Sequence, residues 1–308
     1  MKKNSVISFA AGNCYSYLIT DGGKALLVDP HISLVEQYAK KLVKKGLSLV
    51  GIFDTHTHAD HISSAAILKK RYGAPVYMSE HAKSSVATER VKEGDVIKVG
   101  ETEVRAIYTP GHTDDSVSLL TGRGDVFTGD VLLINSVGRV DFQNGSPEDM
   151  FDSLGKLAAL AGETVVRPAH DYKGNMTTTI AEQRKTNPFV AEKDKQKFCD
   201  DARSKKMAKP ANMDTIIAVN QKGTAEGFST VSAKEAFEKL GEPNSVVLDV
   251  RTAQELSEIS VKLDNVKHIP LQSLASSVGS LSKEASYYTL CRSGHRATMA
   301  AMVLMQQG

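Results

Sequence analysis

Cysteine is scarce in this chain. The three thiols, Cys14, Cys199 and Cys291, are odd in number and far apart among 308 residues. That spacing excludes a disulfide scaffold and suits a reducing compartment, so the cytoplasm is the expected location. An excess of one charge is missing too: 38 basic and 36 acidic side chains are interspersed and leave a net charge of +2. Such a surface offers no field to hold nucleic acid or an anionic membrane, and neither is expected as a partner. Long apolar runs are absent as well. No stretch reaches transmembrane length, and the apolar part of Met1–Ala11 is too short and interrupted for a secretory signal. What remains is a composition that is 41% hydrophobic and 24% charged, ordinary for a soluble globular protein and long enough for two domains. A homo-oligomer is compatible with it.

The chemistry is concentrated in one stretch, Asp54-Thr-His-Thr-His-Ala-Asp-His-Ile62, where three imidazoles and two carboxylates fall within nine residues. The run before it, Leu47–Phe53, is apolar, β-rich and too short for a helix. It reads as a buried strand that releases the histidines at its C-terminal end, where open α/β sheets place ligands. His56 and His58 are one residue apart and so share one side of an extended chain. Asp60 and His61 follow as the chain turns into a helix from Ser63 to Tyr72, closed by Gly73. Burying so many polar groups is costly unless a cation compensates them, which makes a metal site the expectation.

The same arrangement repeats downstream. Asn13–Thr20, Asp21-Gly-Gly23 and Lys24–Asp29 read as a hairpin, with Cys14 in its first strand as a small buried hydrophobe. Leu34, Val35, Tyr38, Leu42 and Val43 recur at helical spacing before Gly46 and predict an amphipathic helix on one sheet face. Short strands are expected at Ala74–Met78, Asp95–Val99, Thr102–Tyr108, Ser116–Leu120 and Asp125–Asp130. The third runs on to His112 and the last ends at Asp130. Ser146, Pro147 and two early acidic residues open a helix through Leu160, after which Thr164–Val166 leads to His170.

Histidines and carboxylates thus recur at strand ends in the order HxHxDH, His, Asp, His. This order resembles the metallo-β-lactamase fold, an αββα sandwich with its metal site along one edge of two sheets. Thr55-His-Thr-His-Ala-Asp-His-Ile62, Pro110-Gly-His-Thr113, Phe127-Thr-Gly-Asp-Val-Leu-Leu-Ile134, Gly138-Arg-Val-Asp-Phe142 and Pro168-Ala-His-Asp-Tyr172 are similar to its persulfide dioxygenase branch, over residues 1–190. The resemblance implies that His56, His112 and Asp130 bind Fe(II), one per chain. It places His58, Asp60, His61 and His170 behind those ligands and Arg139 and Tyr172 beside the substrate. The implied reaction oxidises glutathione persulfide with O₂ to sulfite and glutathione. Two imidazoles and one carboxylate are indeed the set used by non-haem Fe(II) oxygenases. Two alternatives stay open: a dinuclear zinc glutathione-thioester hydrolase of the glyoxalase II kind, with His58, Asp60, His61 and His170 holding a second ion, and a persulfide-binding sensor.

Residues 191–227 are charge-dense and weakly periodic, and read as a solvated helical extension and linker in which Cys199 does nothing chemical. A new apolar rhythm begins near Phe228, with a helix from Ser232 to Leu240 and strands at Ser245–Val250 and Tyr287–Leu290. Cys291-Arg-Ser-Gly-His-Arg296 then lies between a strand and a helix, where backbone amides and the helix N-terminus favour an anionic sulfur. With Asp249-Val-Arg251 upstream, this small α/β domain, 228–308, resembles a rhodanese whose C-terminal part is missing. The resemblance implies transfer of sulfane sulfur between thiosulfate and glutathione, with Cys291 and Arg296 as catalytic residues. Cysteine-dependent phosphatases separate their cysteine and arginine by five residues; here four intervene, which suits the sulfur reading.

Overall fold

Two glycines make the second tight turn. Gly22 and Gly23, both at positive φ, let the run before them fold back on the run after them, so that β2 (Cys14–Asp21) and β3 (Lys24–Val28) pair antiparallel behind β1 (Ser5–Ala11). This is a computed structural model, and it describes residues 5–204, 213–223, 231–292 and 294–306. Two units divide the chain, 1–223 and 224–308.

In the first unit, α1 (Val35–Lys45) turns Val35, Tyr38, Ala39 and Leu42 inward and ends at left-handed Gly46. The Tyr38 hydroxyl reaches Ser16 Oγ at 2.7 Å and its ring meets Phe9 edge-on, which seats the helix on β1 and β2. β4 (Ser48–Phe53) runs parallel to β3. After α2 (Ala65–Tyr72), β5 (Val76–Ser79) and β6 (Glu89–Val91) complete a six-stranded sheet ordered β1-β2-β3-β4-β5-β6. α2 begins two residues later than its periodicity suggests, because Ser63 commits its hydroxyl to Asp54 and its N–H to Asn220.

A second sheet is built from β7 (Val96–Val99), β8 (Thr102–Tyr108), β9 (Val117–Thr121) and β10 (Asp125–Gly129). A short ladder of β11 (Leu132–Leu133) and β12 (Ser136–Val137) and then α3 (Pro147–Ala158) carry the chain to β13 (Val165–Pro168) and β14 (Thr178–Thr179). The order is β14-β13-β10-β9-β8-β7. Ser146 caps α3 by accepting from Asp149 N–H, with Pro147 in the first turn.

Tyr17, Val28, Phe53, Val104, Leu119 and Phe127 pack between the two sheets. Each large apolar side chain buried there contributes roughly 1.5–3 kcal/mol. On the outer face of the second sheet, Val126 and Val166 meet Met150, Leu154 and Leu157 of α3. With α2 against β4 and β5, the layers alternate helix, sheet, sheet, helix.

One expectation needs correcting. α4 (Ile180–Thr186), α5 (Pro188–Ala191), α6 (Lys195–Ser204) and α7 (Met213–Lys222) all belong to the first unit, so the two helices of the expected extension, α6 and α7, are part of that unit and not a solvated stretch. Phe198 of α6 is 2% exposed and sits between the rings of Phe151 and Phe189, at 5.4 and 6.0 Å. In a sequence so rich in charge, three inward residues on one short helix leave too weak a period to read. Residues 205–212 and 224–230, which hold parts of the expected linker and the domain start near Phe228, lie outside the described residues.

The second unit is a three-stranded parallel sheet ordered β16-β15-β17, made of β15 (Ser245–Asp249), β16 (Val266–His268) and β17 (Ser286–Leu290). Around it stand α8 (Ala233–Lys239), α9 (Ala253–Glu258), α10 (Leu271–Ser277) and α11 (His295–Gln306). Capping boxes at Ser232/Glu235 and Thr252/Glu255 start the first two.

Candidate functional site

Four strand ends converge at one edge of the sandwich. β4 releases His56, His58, Asp60 and His61, β8 leads to His112, β10 to Asp130 and β13 to His170. The donor atoms of His56, His112 and Asp130 all lie within 4.8 Å of one another.

In each of these three groups the far atom is held and the near atom is bare. Thr55 Oγ1 donates to Asp29 Oδ2, so toward His56 Nδ1, 3.0 Å away, it can only accept. His56 therefore carries its proton on Nδ1, and its buried Nε2 has no partner. His112 Nδ1 is 2.7 Å from the carbonyl oxygen of Arg139, which cannot donate, so Nε2 is again the lone pair, 3.7 Å from Asp130 Oδ2. His170 donates from Nδ1 to Asp130 Oδ1 at 2.6 Å and leaves Oδ2 to the shared space. Burial works to raise the Asp130 pKa, but His170, His112 and His56 overcome it and hold the carboxyl below the usual carboxylate range. Burial, with His58 and His112 beside it, drives the His56 pKa well below its ordinary value and keeps the imidazole neutral, the form that binds a metal. Ligands oriented from behind and bare in front are what a cation requires. Gly129, at φ 51°, and Gly138 frame the site, for a side chain at 138 would collide with the Asp130 carbonyl and press on His112.

The sequence family described as the metallo-beta-lactamase superfamily matches residues 10–170, a range that contains every donor just named. The chain belongs to the metallo-beta-lactamase superfamily. Within the superfamily it is 31% identical over 212 residues to the mitochondrial persulfide dioxygenase ETHE1 of Bos taurus, covering 68% of this chain and 83% of that protein. It is 35% identical over 170 residues to the hydroxyacylglutathione hydrolase of Francisella tularensis subsp. novicida, covering 54% of the chain and 67% of that protein. The crystal structure of ETHE1 from Myxococcus xanthus superposes with a TM-score of 0.68 at 38% identity, covering 71% of this chain and 98% of that one. Homology to persulfide dioxygenases therefore spans most of the first unit.

The remaining superfamily residues form two further groups. His58 donates from Nε2 to Asp29 Oδ1 at 3.2 Å, and its buried Nδ1 has no partner. Asp29, at φ 49°, also accepts from Thr55 N–H at 2.7 Å and is braced by this clamp. Asp60 Oδ2 lies 2.9 Å from His170 Nε2, 3.2 Å from His61 Nδ1 and 3.5 Å from Cys14 Sγ. Burial opposes a charge on His170, yet Asp130 and Asp60 on its two sides raise its pKa well above the ordinary value. Cys14 is not the inert hydrophobe its strand suggests. A backbone bridge to His170 brings its sulfur into this acidic and imidazole group. Arg139 stands beside His112 through its carbonyl, while its guanidinium pairs with Asp141 at 2.6 Å and lies 3.8 Å from the Phe142 ring centre. Tyr172 is 72% exposed, its ring parallel to that of His170.

Three residues escape the sequence reading. Asp29 ends β3 as Asp130 ends β10, and the same strand-end rule would have found it. Asp115 accepts from Thr57 N–H and hydroxyl at 3.0 and 2.6 Å and from the Thr113 hydroxyl at 2.6 Å, tying the His56 loop to the His112 loop. Asn220 grips the metal loop from α7, and no local signal marks it.

In the second unit, Cys291 follows β17, and its Sγ accepts from Gly294 N–H at 3.1 Å and Ala297 N–H at 3.3 Å. Arg296 pairs with Glu255 through two contacts of 2.6 Å, and Arg251 pairs with buried Asp249. No helix among the described residues is long and apolar enough to cross a membrane.

Proposed function

We propose that the first unit is a persulfide dioxygenase that oxidises glutathione persulfide with O₂ and water to sulfite and glutathione, using one Fe(II) held by His56, His112 and Asp130. The observation that carries this is the donor set, two bare imidazole nitrogens and one carboxylate oxygen gathered within 4.8 Å, each with its other atom engaged. Bound there, Fe(II) would offer open positions to a sulfur and to O₂ together and supply the electrons that make O₂ reactive.

The chain's own residues supply the rest. His170 keeps Asp130 anionic and fixes which oxygen faces the site. Tyr172 presents a phenol beside His170, suited to hydrogen-bond the substrate sulfur. A carboxylate of the thiol carrier would compete with Asp141 for the Arg139 guanidinium, a bidentate partner for either. The dinuclear zinc hydrolase is the lesser reading, because the likeness to persulfide dioxygenases runs over 68% of the chain and that to a hydroxyacylglutathione hydrolase over 54%.

In the second unit we place a sulfurtransferase, in which Cys291, cradled by two amides, accepts sulfane sulfur from thiosulfate and passes it to glutathione, releasing sulfite. Arg296 would pair with the anionic donor. The experiment for the first unit is O₂ uptake by the iron-loaded chain. Glutathione persulfide should be consumed with O₂ and yield an equal amount of sulfite, whereas hydrolysis of glutathione thioesters without O₂ uptake would replace this reading with the hydrolase.

A further inference from the structure

We propose that Asn220, on the last turn of α7, is a positioning residue for the metal loop, and that its carboxamide sets how tightly the first unit keeps its metal. The loop from Asp54 to Ser64 belongs to neither a helix nor a strand, so its conformation is imposed from outside. Its backbone is held group by group: Thr55 N–H by Asp29, Thr57 N–H by Asp115, the Thr57 carbonyl by Gln143. Asn220 holds three more. Its Nδ2 donates to the carbonyls of His58 and His61, both at 2.9 Å, and its Oδ1 accepts from Ser63 N–H at 2.9 Å.

Two carbonyls that need donors and one N–H that needs an acceptor, all within reach of one side chain, are met by a primary amide in one orientation only. A carboxylate has no proton to give the carbonyls, and a hydroxyl cannot span all three. The amide is itself fixed. The terminal carbonyls of α7 accept from the segment after β5, Asn220 O from Ser84 Oγ at 2.7 Å and Gln221 O from Ser85 N–H at 2.7 Å, in place of the helical partners these carbonyls lack. Ile216 and Val219 bury the inner face of the helix. α7 therefore acts as a latch on the loop that carries His56, His58 and His61, although it lies well beyond residue 170, where the superfamily match ends.

This inference rests on the reading of His56, His112 and Asp130 as metal ligands, and its test is made independent of which ion they hold. The full chain is loaded anaerobically with Fe(II) and, separately, with Zn(II), and the rate of transfer to a chromogenic chelator is measured beside the thermal midpoint of the metal-free protein. Asn220→Asp, of equal size, should release either ion on the order of 10- to 100-fold faster than the wild type, the usual effect of losing a group that orients ligands from behind. Asn220→Ser should do the same and serves if the Asp variant does not fold. Phe198→Ala loosens the outer core over α3, on a helix that does not carry the amide. It should lower the thermal midpoint and leave release at the wild-type rate. Release at the wild-type rate from both Asn220 variants, or equal acceleration by Phe198→Ala, overturns the proposal. A wild type that keeps zinc and refuses iron would overturn the dioxygenase reading and leave the latch standing on its zinc release rates.

Discussion

At His112 the two ring nitrogens have different partners, a backbone carbonyl behind and a shared space with His56 and Asp130 in front. At His58 the arrangement differs, since Nε2 is spent on Asp29 and the residue joins Asp29 and Asp54. His112→Ala should therefore abolish iron retention, whereas His58→Ala should weaken it by only about 10- to 100-fold, as expected for a group behind the ligands. Metal analysis after gel filtration of the two variants distinguishes them, and equal, total loss would make His58 a direct ligand. That the loop histidines gather at one edge was legible, because imidazoles that dense have few other uses. Asp115 and Asn220 were not, since an aspartate two residues after Thr113 and an asparagine near the end of a short helix are ordinary residues until folding brings them to the loop. Cys14 misled for the same reason: its strand is apolar, and only the backbone bridge to His170 turns its sulfur toward Asp60.

Among the elements, strands were read well and the extension poorly. The strands that deliver His56, His112 and Asp130 are short, β-rich and bounded by turn residues, so their ends fell close to where the structure puts them. α6 carries Phe198 and Cys199 among seven charged or polar neighbours and reads as solvated, yet it closes the outer core over α3. If that packing is structural, Phe198→Ala should cost about 3–5 kcal/mol, as for other buried aromatic truncations. Urea unfolding monitored on the first unit measures it, and a cost near that of a surface substitution would return α6 to the role of a solvated extension.

At the scale of the whole chain, two units carry two candidate chemistries with no shared motif residue. β15 and β17 fall where Ser245–Val250 and Tyr287–Leu290 are expected from the sequence, whereas β16 is not, because Val266-Lys-His268 is too short and too polar to read as a strand. A diffusible persulfide is enough to connect the units, since the product of the proposed sulfur transfer is the substrate of the proposed oxidation. Cys291→Ser should then abolish thiosulfate-dependent sulfur transfer and leave O₂ uptake on preformed glutathione persulfide intact, while His56→Ala does the reverse. Loss of both activities in a folded, iron-loaded Cys291→Ser protein would place the thiol in a single shared mechanism. The central claim, one iron at His56, His112 and Asp130 driving persulfide oxidation, is tested most directly by counting metals in chain purified anaerobically from cells supplied with both iron and zinc, and measuring O₂ uptake on glutathione persulfide across samples of graded iron content. The account predicts saturation at one iron per chain and uptake proportional to iron; two zinc ions per chain with no persulfide-dependent uptake would contradict it.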